Sequence, residues 1–130
     1  MKHLANCTPR EFLAQSAKIA PVLENWLKKT DIMGIRKRQP VIPINSTKEE
    51  REELTAKQAR QNILDMFKTA VQDCPEETIE LLGALCFTDS KHIDDYPMDD
   101  YFSALFEMVD SKAVTGFFTS FSKLGTLMNT

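Results

Sequence analysis

The chain has 130 residues, of which 42% are hydrophobic and 27% charged, and its formal net charge is −3. A chain of this size and composition is typical of one globular domain that folds without a metal or a disulfide. The longest apolar run, LLGALCF, is too short to cross a bilayer, and the N-terminus lacks the apolar core of a signal peptide, so we expect a cytoplasmic protein without membrane contacts.

The charge is unevenly spread along the chain. Residues 1–46 carry eight Lys or Arg against three Asp or Glu, whereas residues 47–130 carry eight against sixteen. The acidic total argues against a dedicated nucleic-acid-binding protein, which usually has a net basic domain. The cysteines are three in number and widely spaced, so we expect reduced cysteines that serve packing.

The first predicted helix begins at residues 8–11, where TPRE combines a capping threonine, a proline in the first turn and a glutamate three residues after the cap. Pro21 interrupts the apolar spacing of this helix and predicts a kink or a restart. Gly34 predicts the C-terminal end of this helix. Val22 and Trp26 widen the apolar face, which makes them candidate partner contacts.

The stretch IRKRQPVIPIN predicts an extended strap over residues 35–46, because Pro40 and Pro43 exclude a helix. The basic run in the strap has three interpretations: a phosphate contact, a solvated linker, or a tether that pairs with the acidic residues of the rest of the chain. The pattern PVIPI favours the tether, because its apolar side chains would gain from lying in a groove between helices. The cations concerned are Arg36, Lys37 and Arg38.

The second predicted helix covers residues 48–73 and begins with two overlapping capping boxes in STKEE. Its later part is amphipathic, with an apolar stripe at Ala56, Ala59, Ile63, Phe67 and Ala70. A third helix begins at Pro75. Its segment TIELLGALCF is apolar on nearly every face, so we expect it to be the buried centre of the protein.

The fourth predicted helix opens at Tyr96 and Pro97, and its apolar residues at helical spacing are Met98, Tyr101, Phe102, Leu105, Phe106 and Val109. A fifth begins after Asp110 or Ser111, ends at Gly125, and has the stripe Val114, Phe117, Phe118, Phe121 and Leu124. Adjacent residues on a helix are about 100° apart, so one of the rings at 117 and 118 should face the core and the other its rim. Rings left open would form a groove or a dimer seam, with candidate contacts Tyr101, Phe117, Phe118 and Phe121.

Together these elements predict an all-α fold of about five helices in a single small bundle. The single domain would comprise a kinked N-terminal helix within residues 1–34, the strap over 35–46, a helical core over 47–124 and a frayed tail over 125–130.

Signals of catalysis are weak. The four glycines are scattered rather than gathered in a phosphate-binding loop, and there is no nucleophile motif. The acidic residues of HIDDYPMDDY are a candidate divalent-metal site, but their spacing fits helix capping and the helix dipole better. We therefore expect no enzyme, and no catalytic, cofactor or metal site.

Four segments, in order, resemble the tail assembly chaperones of long-tailed bacteriophages and prophages of Gram-positive bacteria: REFLAQSAKIAPVLENWL, IRKRQPVIP, PEETIELLGALCF and DDYPMDDYFSALFEMVDSKAVTGFFTSFSKLG. The resemblance implies a non-enzymatic protein of the host bacterial cytoplasm. It would bind and solubilise the tape-measure protein, a very long helical chain, during tail morphogenesis. The tail-tube protein is a further implied partner. Apart from the resemblance, a second copy of the chain is a candidate partner through the open rings.

The alternative is a small helical prophage-encoded regulator that binds nucleic acid through its basic run at residues 36–38. In the chaperone interpretation, the candidate partner-binding residues are Val22, Trp26, Arg36, Lys37, Arg38, Tyr101, Phe117, Phe118 and Phe121.

Overall fold

The structure is a computed structural model that describes residues 1–128, except for the side chains of residues 122 and 124–128. Within this part the chain forms α-helices and no β-strand, which confirms the predicted all-α class. A π-helical segment at Thr69–Asp73 continues the third helix, and a 3₁₀ turn at Ile93–Asp95 precedes the fifth. The six α-helices are α1 (Pro9–Thr30), α2 (Ile32–Arg36), α3 (Lys48–Lys68), α4 (Pro75–Leu85), α5 (Met98–Asp110) and α6 (Lys112–Met128).

None of the helices in the described part of the chain has the length and hydropathy needed to cross a membrane.

The chain divides into two compact units. We call Met1–Pro21 together with Ile79–Thr130 the terminal unit, and Val22–Thr78 the middle unit. The boundaries fall inside α1 and α4, so each of these helices contributes residues to both units. The predicted single domain stays a prediction.

Three helix starts follow the local signals in the sequence. At α1 the backbone N–H of Glu11 donates to the Thr8 hydroxyl (3.2 Å), and the N–H of Thr8 donates to the Glu11 carboxylate (3.0 Å). Thr47 and Glu50 form the same reciprocal pair at α3. The Ser111 hydroxyl accepts a bond from the first turn of α6. Each side chain satisfies an N-terminal donor that the helix itself leaves unpaired.

The end of the first helix differs from the prediction. Helix α1 runs through Pro21 without a restart and stops at Thr30, because Asp31 takes a left-handed conformation with φ of 50°. Aspartate tolerates this region better than most residues. Gly34 lies inside α2 rather than at a helix end, and a Cβ atom there would meet the Asp31 carboxylate oxygens at 2.6 Å. The carboxylate is the end of an exposed, flexible side chain that can move aside, so this position does not require glycine.

The core of the terminal unit gathers apolar residues from its helices and from the N-terminal segment. The prediction that α4 is central is largely correct, since Gly83 is buried and Leu81, Leu82 and Leu85 pack against the cluster. His3, also buried, accepts a bond from the N–H of Ala5 at Nδ1 (3.1 Å), so Nε2 donates to Glu107 (2.6 Å) and ties the N-terminus to α5. The buried cluster is Leu4, Ile19, Cys86, Tyr101, Ala104, Met108 and Val114.

The buried face of α5 is not the predicted stripe. The face turned inward consists of Tyr101, Ala104 and Met108, with Leu105 half-buried. The Tyr101 hydroxyl donates to the Ile93 carbonyl (2.7 Å), which allows the ring to be buried without an unpaired polar group. Most of the predicted stripe is instead exposed: Met98, Phe102, Phe106 and Val109.

The middle unit is organised around contacts between α2 and α3. Ile35 of α2 is buried, so the strap begins after Arg36 rather than at residue 35. The buried side chain of Asn62 donates from Nδ2 to the Arg38 carbonyl (3.1 Å) and accepts at Oδ1 from Gln58 (2.8 Å). A polar anchor on α3 therefore holds the start of the strap.

The apolar side chains of the strap do not lie in a groove, which corrects the prediction. Val41 and Ile44 are each 92% exposed, and Ile42 is exposed as well. Among the prolines and apolar residues of the strap, only Pro40 is half-buried. The physical reason is that the strap is fixed through its backbone at Arg38, so its later residues need no packing surface.

Two further predictions about helices need correction. The stripe predicted on α3 is mostly exposed, including Ile63 and Phe67, and the residue that α3 buries is Asn62. Helix α6 continues to Met128 and does not end at Gly125. The side chain of Leu124, and residues 129 and 130 of the predicted frayed tail, lie outside the described residues.

Candidate functional site

A cluster of aromatic rings joins α1 and α6 in the terminal unit. Phe117 is its centre: its ring centroid lies 4.9 Å from Phe12, 4.9 Å from Phe121 and 5.4 Å from Phe118. The contacts with Phe12 and Phe118 are edge-to-face, the arrangement that the ring quadrupole favours. We call these four rings and neighbouring Leu13 the aromatic surface.

Exposure rises from the centre of the aromatic surface to its edge. Phe117 is half-buried, Phe118 is 43% exposed and Phe121 is 61% exposed. The two adjacent rings therefore differ in burial, as their angular separation on the helix predicts. Ring–ring contacts fix the outer rings in place while much of their apolar area stays in water. A surface held in this state loses little conformational entropy when a partner covers it.

An apolar cleft adjoins the aromatic surface. Its volume is about 390 Å³, which lies in the range of small-ligand pockets and is large enough for side chains of a bound helix. The floor and walls come from the N-terminal segment, α1 and α6, so the cleft lies wholly in the terminal unit. The main apolar residues lining it are Leu4, Pro9, Phe12, Leu13, Val114 and Phe117.

Helix α5 carries a second apolar face, which we call the α5 stripe: Met98, Phe102, Phe106 and Val109. These residues follow helical spacing on the side of α5 away from its buried face. On a wheel at about 100° per residue, Asp99 and Asp110 lie together along one edge of the stripe. Both aspartates are exposed. The α5 stripe is thus apolar with an acidic edge.

Helix α3 and the π-helical segment after it carry a third apolar face, which we call the α3 stripe: Ile63, Leu64, Phe67 and Val71. Lys57 and Lys68 lie along one edge of this stripe on the same helical wheel, whereas Arg60 lies within the stripe, between Phe67 and Leu64. All three cations are exposed. The α3 stripe therefore has a basic edge.

Three of the predicted partner contacts have less free surface than expected. Tyr101 is 2% exposed, so the prediction that it contacts a partner is wrong: its ring completes the core. Trp26 is half-buried, and its indole N–H donates to the Thr78 hydroxyl (3.0 Å). Val22 is half-buried too. Tyr101 and Trp26 both use their polar group inside their own unit.

The three cations of the basic run have different environments. Arg38 Nη1 pairs with Asp65 Oδ2 of α3 at 3.1 Å, whereas Arg36 and Lys37 are exposed. Arg36, Arg38 and Asn62 help to line a cleft of about 290 Å³ beside α3. One of the three cations thus makes the intramolecular contact that the tether interpretation predicts.

A polar cleft near the start of the 3₁₀ turn brings together a thiol, an imidazole and a carboxylate. Cys86, Asp89 and His92 all line it, and His92 Nδ1 lies 2.8 Å from Asp89 Oδ1. This hydrogen bond raises the pKa of His92 and lowers that of Asp89. Burial raises the pKa of the Cys86 thiol to about 11. The thiol is therefore protonated near neutral pH, and the thiolate is the nucleophilic form of cysteine.

Among the described residues, no three His, Cys, Asp or Glu side chains are grouped so that they could hold a metal ion. In comparisons with protein-family models, curated proteins and solved structures, nothing matches this chain. Among the described residues, the aromatic surface and its adjoining cleft combine exposed rings with an apolar cavity, which makes them the candidate binding site.

Proposed function

We propose that this protein is a non-enzymatic tail assembly chaperone that binds and solubilises the tape-measure protein of a long-tailed phage or prophage in the host bacterial cytoplasm. The observation that carries the proposal is the aromatic surface beside its apolar cleft. Large rings are costly to expose, and contiguous exposed apolar area on a small protein is typical of a binding site.

The shape of the site fits a helical client. An amphipathic helix presents apolar side chains every three or four residues, and these dock in hydrophobic grooves on partner proteins. The cleft of about 390 Å³ would take one or two such side chains. Phe118 and Phe121 would then cover the flank of the helix, since they are the most exposed rings of the aromatic surface.

Charge supports the same role. In the terminal unit, acidic side chains outnumber basic ones, and the acidic residues of α5 and of the loop before it are exposed. A client coated with copies of this protein would acquire net negative charge, which opposes aggregation. The tape-measure protein as client, and the tail-tube protein as a further partner, come from the family resemblance of the four sequence segments.

The regulatory alternative has weaker support. Of the three cations in the basic run, Arg38 is already paired with Asp65, which leaves Arg36 and Lys37 for phosphate contacts. Two cations release few counterions and give weak, salt-sensitive binding. A gel shift with duplex DNA that survives physiological salt would favour the regulator over the chaperone.

Co-expression with a tape-measure protein, sought among the genes that neighbour this one, tests the proposal. We expect wild-type protein to keep the tape-measure protein in the soluble fraction and to co-purify with it. The double variant Phe118→Ala/Phe121→Ala should lose this activity while remaining folded. The control variant Val41→Ala/Ile44→Ala removes exposed apolar area from the strap and should behave as wild type. Equal solubility of the tape-measure protein without this protein would refute the proposal.

A further inference from the structure

We infer that two copies of this chain associate through the α3 stripe of one copy and the α5 stripe of the other, packed antiparallel. This contact is separate from the aromatic surface and from client binding, because it uses different residues. Both stripes are open to solvent in the single chain: Phe67 is 67% exposed and Phe106 is 69% exposed.

Charge complementarity identifies the occupant of each stripe. Helix α5 has four acidic residues and no Lys or Arg. Glu107 receives a bond from His3, but Asp99 and Asp110 are exposed along the edge of the stripe. The α3 stripe has Lys57 and Lys68 in the corresponding position. The α3 stripe therefore has a basic edge and the α5 stripe an acidic edge. A second copy of the chain carries both stripes, so it offers the opposite charge to each.

The spacing of the charges matches as well. Lys57 and Lys68 are eleven residues apart, and so are Asp99 and Asp110. Eleven residues make about three helical turns, or ~16 Å along the axis, so both charges of a pair lie on one edge of their helix. Two helices aligned in register can therefore form both ion pairs at once.

The direction of packing follows from the wheel. Viewed from the N-terminus, the charged edge lies on the same rotational side of the apolar residues in both helices. When two helices face each other, edges on the same rotational side meet only if the helices are antiparallel. The pairs are then Lys57 with Asp110 and Lys68 with Asp99.

The apolar side chains interleave in this register. Aligning Lys57 with Asp110 places Phe102 at a height between Leu64 and Phe67. Phe106 then falls between Arg60 and Ile63. Such alternation is how ridges of one helix fit grooves of another. No adjustment of the register is needed to achieve it, because the ion pairs alone define the alignment.

Each copy has one α3 stripe and one α5 stripe, so two copies offer two complementary pairs of stripes. Closed cyclic dimers are the most common homo-oligomers, so the assembly that we propose is a dimer of two copies.

A charge-swap experiment tests the contact, with sedimentation equilibrium at low ionic strength as the measurement. We expect the wild-type protein to dimerise in a concentration-dependent manner. Lys57→Glu/Lys68→Glu should raise the dimer dissociation constant by on the order of tenfold or more, because attraction becomes repulsion in both copies of the contact. Asp99→Lys/Asp110→Lys should do the same. Mixing the two variants should restore association as a heterodimer, since both contacts are then complementary.

Matched variants separate this result from general effects. Lys48→Glu/Arg51→Glu makes the same charge change on exposed residues of α3 outside the stripe and should leave the dissociation constant unchanged. Phe106→Ser should weaken association while circular dichroism stays that of the wild type, since this ring is not in the core. A wild type that is monomeric at every concentration would overturn the inference. A mixture of the two charge variants that fails to associate would overturn it too.

Discussion

Truncating the rings of the aromatic surface one at a time separates support of the fold from contact with the client. A Phe→Ala substitution in a packed core costs ~3–5 kcal/mol. Phe117 is half-buried and touches three other rings, so we expect Phe117→Ala to lower the free energy of unfolding by about 2–3 kcal/mol. Phe121 is 61% exposed, and burying a whole phenylalanine is worth ~1.5–3 kcal/mol, so Phe121→Ala should cost only about 1 kcal/mol.

Client affinity should follow a different order. Urea unfolding gives the stability of each variant, and the fluorescence anisotropy of labelled helical peptides from the tape-measure protein gives its affinity. We expect Phe121→Ala and Phe118→Ala to reduce affinity more than stability, because these rings offer the most exposed area of the aromatic surface. If both substitutions destabilise the protein as much as Phe117→Ala does, then these rings belong to the core and do not form a binding surface.

Four other substitutions or treatments have defined outcomes. Thr47→Ala should cost about 1 kcal/mol in urea unfolding, because it removes the cap of α3. Asn62→Ala should cost about 1–3 kcal/mol and speed proteolysis in the strap, because it leaves the Arg38 carbonyl without its donor. Iodoacetamide near pH 8 should modify Cys86 last among the cysteines, because burial raises its pKa to about 11; early modification would contradict the buried placement. By NMR titration, Asp89→Asn should bring the raised pKa of His92 back toward 6.5. The Asp89–His92 pair contributes its full stability at pH values between the unfolded pKa of Asp89 and the unfolded pKa of His92. This contribution is lost as the pH rises through the raised folded-state pKa of His92, or falls through the lowered folded-state pKa of Asp89.

Local signals in the sequence were sufficient for the helix starts. The capping residues at Thr8, Thr47 and Ser111 act on backbone groups within three residues, so no tertiary information is needed to interpret them. The end of α1 was not predictable in the same way. Asp31 breaks the helix in a left-handed conformation, and nothing in its neighbouring residues distinguishes it from an ordinary helical aspartate.

The burial of each apolar face was the least predictable feature. Helix α5 is apolar on two sides, and periodicity alone does not say that Tyr101 faces the core while Phe102 faces solvent. The sequence does show that the apolar arc of α5 is wider than one packed face needs, which indicates that part of this arc stays exposed. On α3, the buried residue is the polar Asn62, because its amide can bond the strap backbone. That pairing joins residues far apart in sequence and leaves no local pattern.

The candidate site was partly predictable. The rings of α6 at 117, 118 and 121 were identified from helical spacing, and the structure brings them together with Phe12. Phe12 and Leu13 were missed as members of the site, because their proximity to α6 depends on tertiary packing across the terminal unit. The tether interpretation predicts that the basic run pairs with acidic residues of the rest of the chain, and Arg38 does so with Asp65. It does not predict the exposure of the strap's apolar side chains.

Site-directed photo-crosslinking tests the central claim, that the aromatic surface contacts a helical client, most directly. A photoreactive phenylalanine analogue would replace Phe121 in one sample and Val41, a still more exposed apolar residue of the strap, in another. After irradiation with the co-expressed tape-measure protein, we expect a covalent adduct from position 121 and none from position 41. Adducts from position 41 alone, or from neither position while the two proteins still co-purify, would contradict the account.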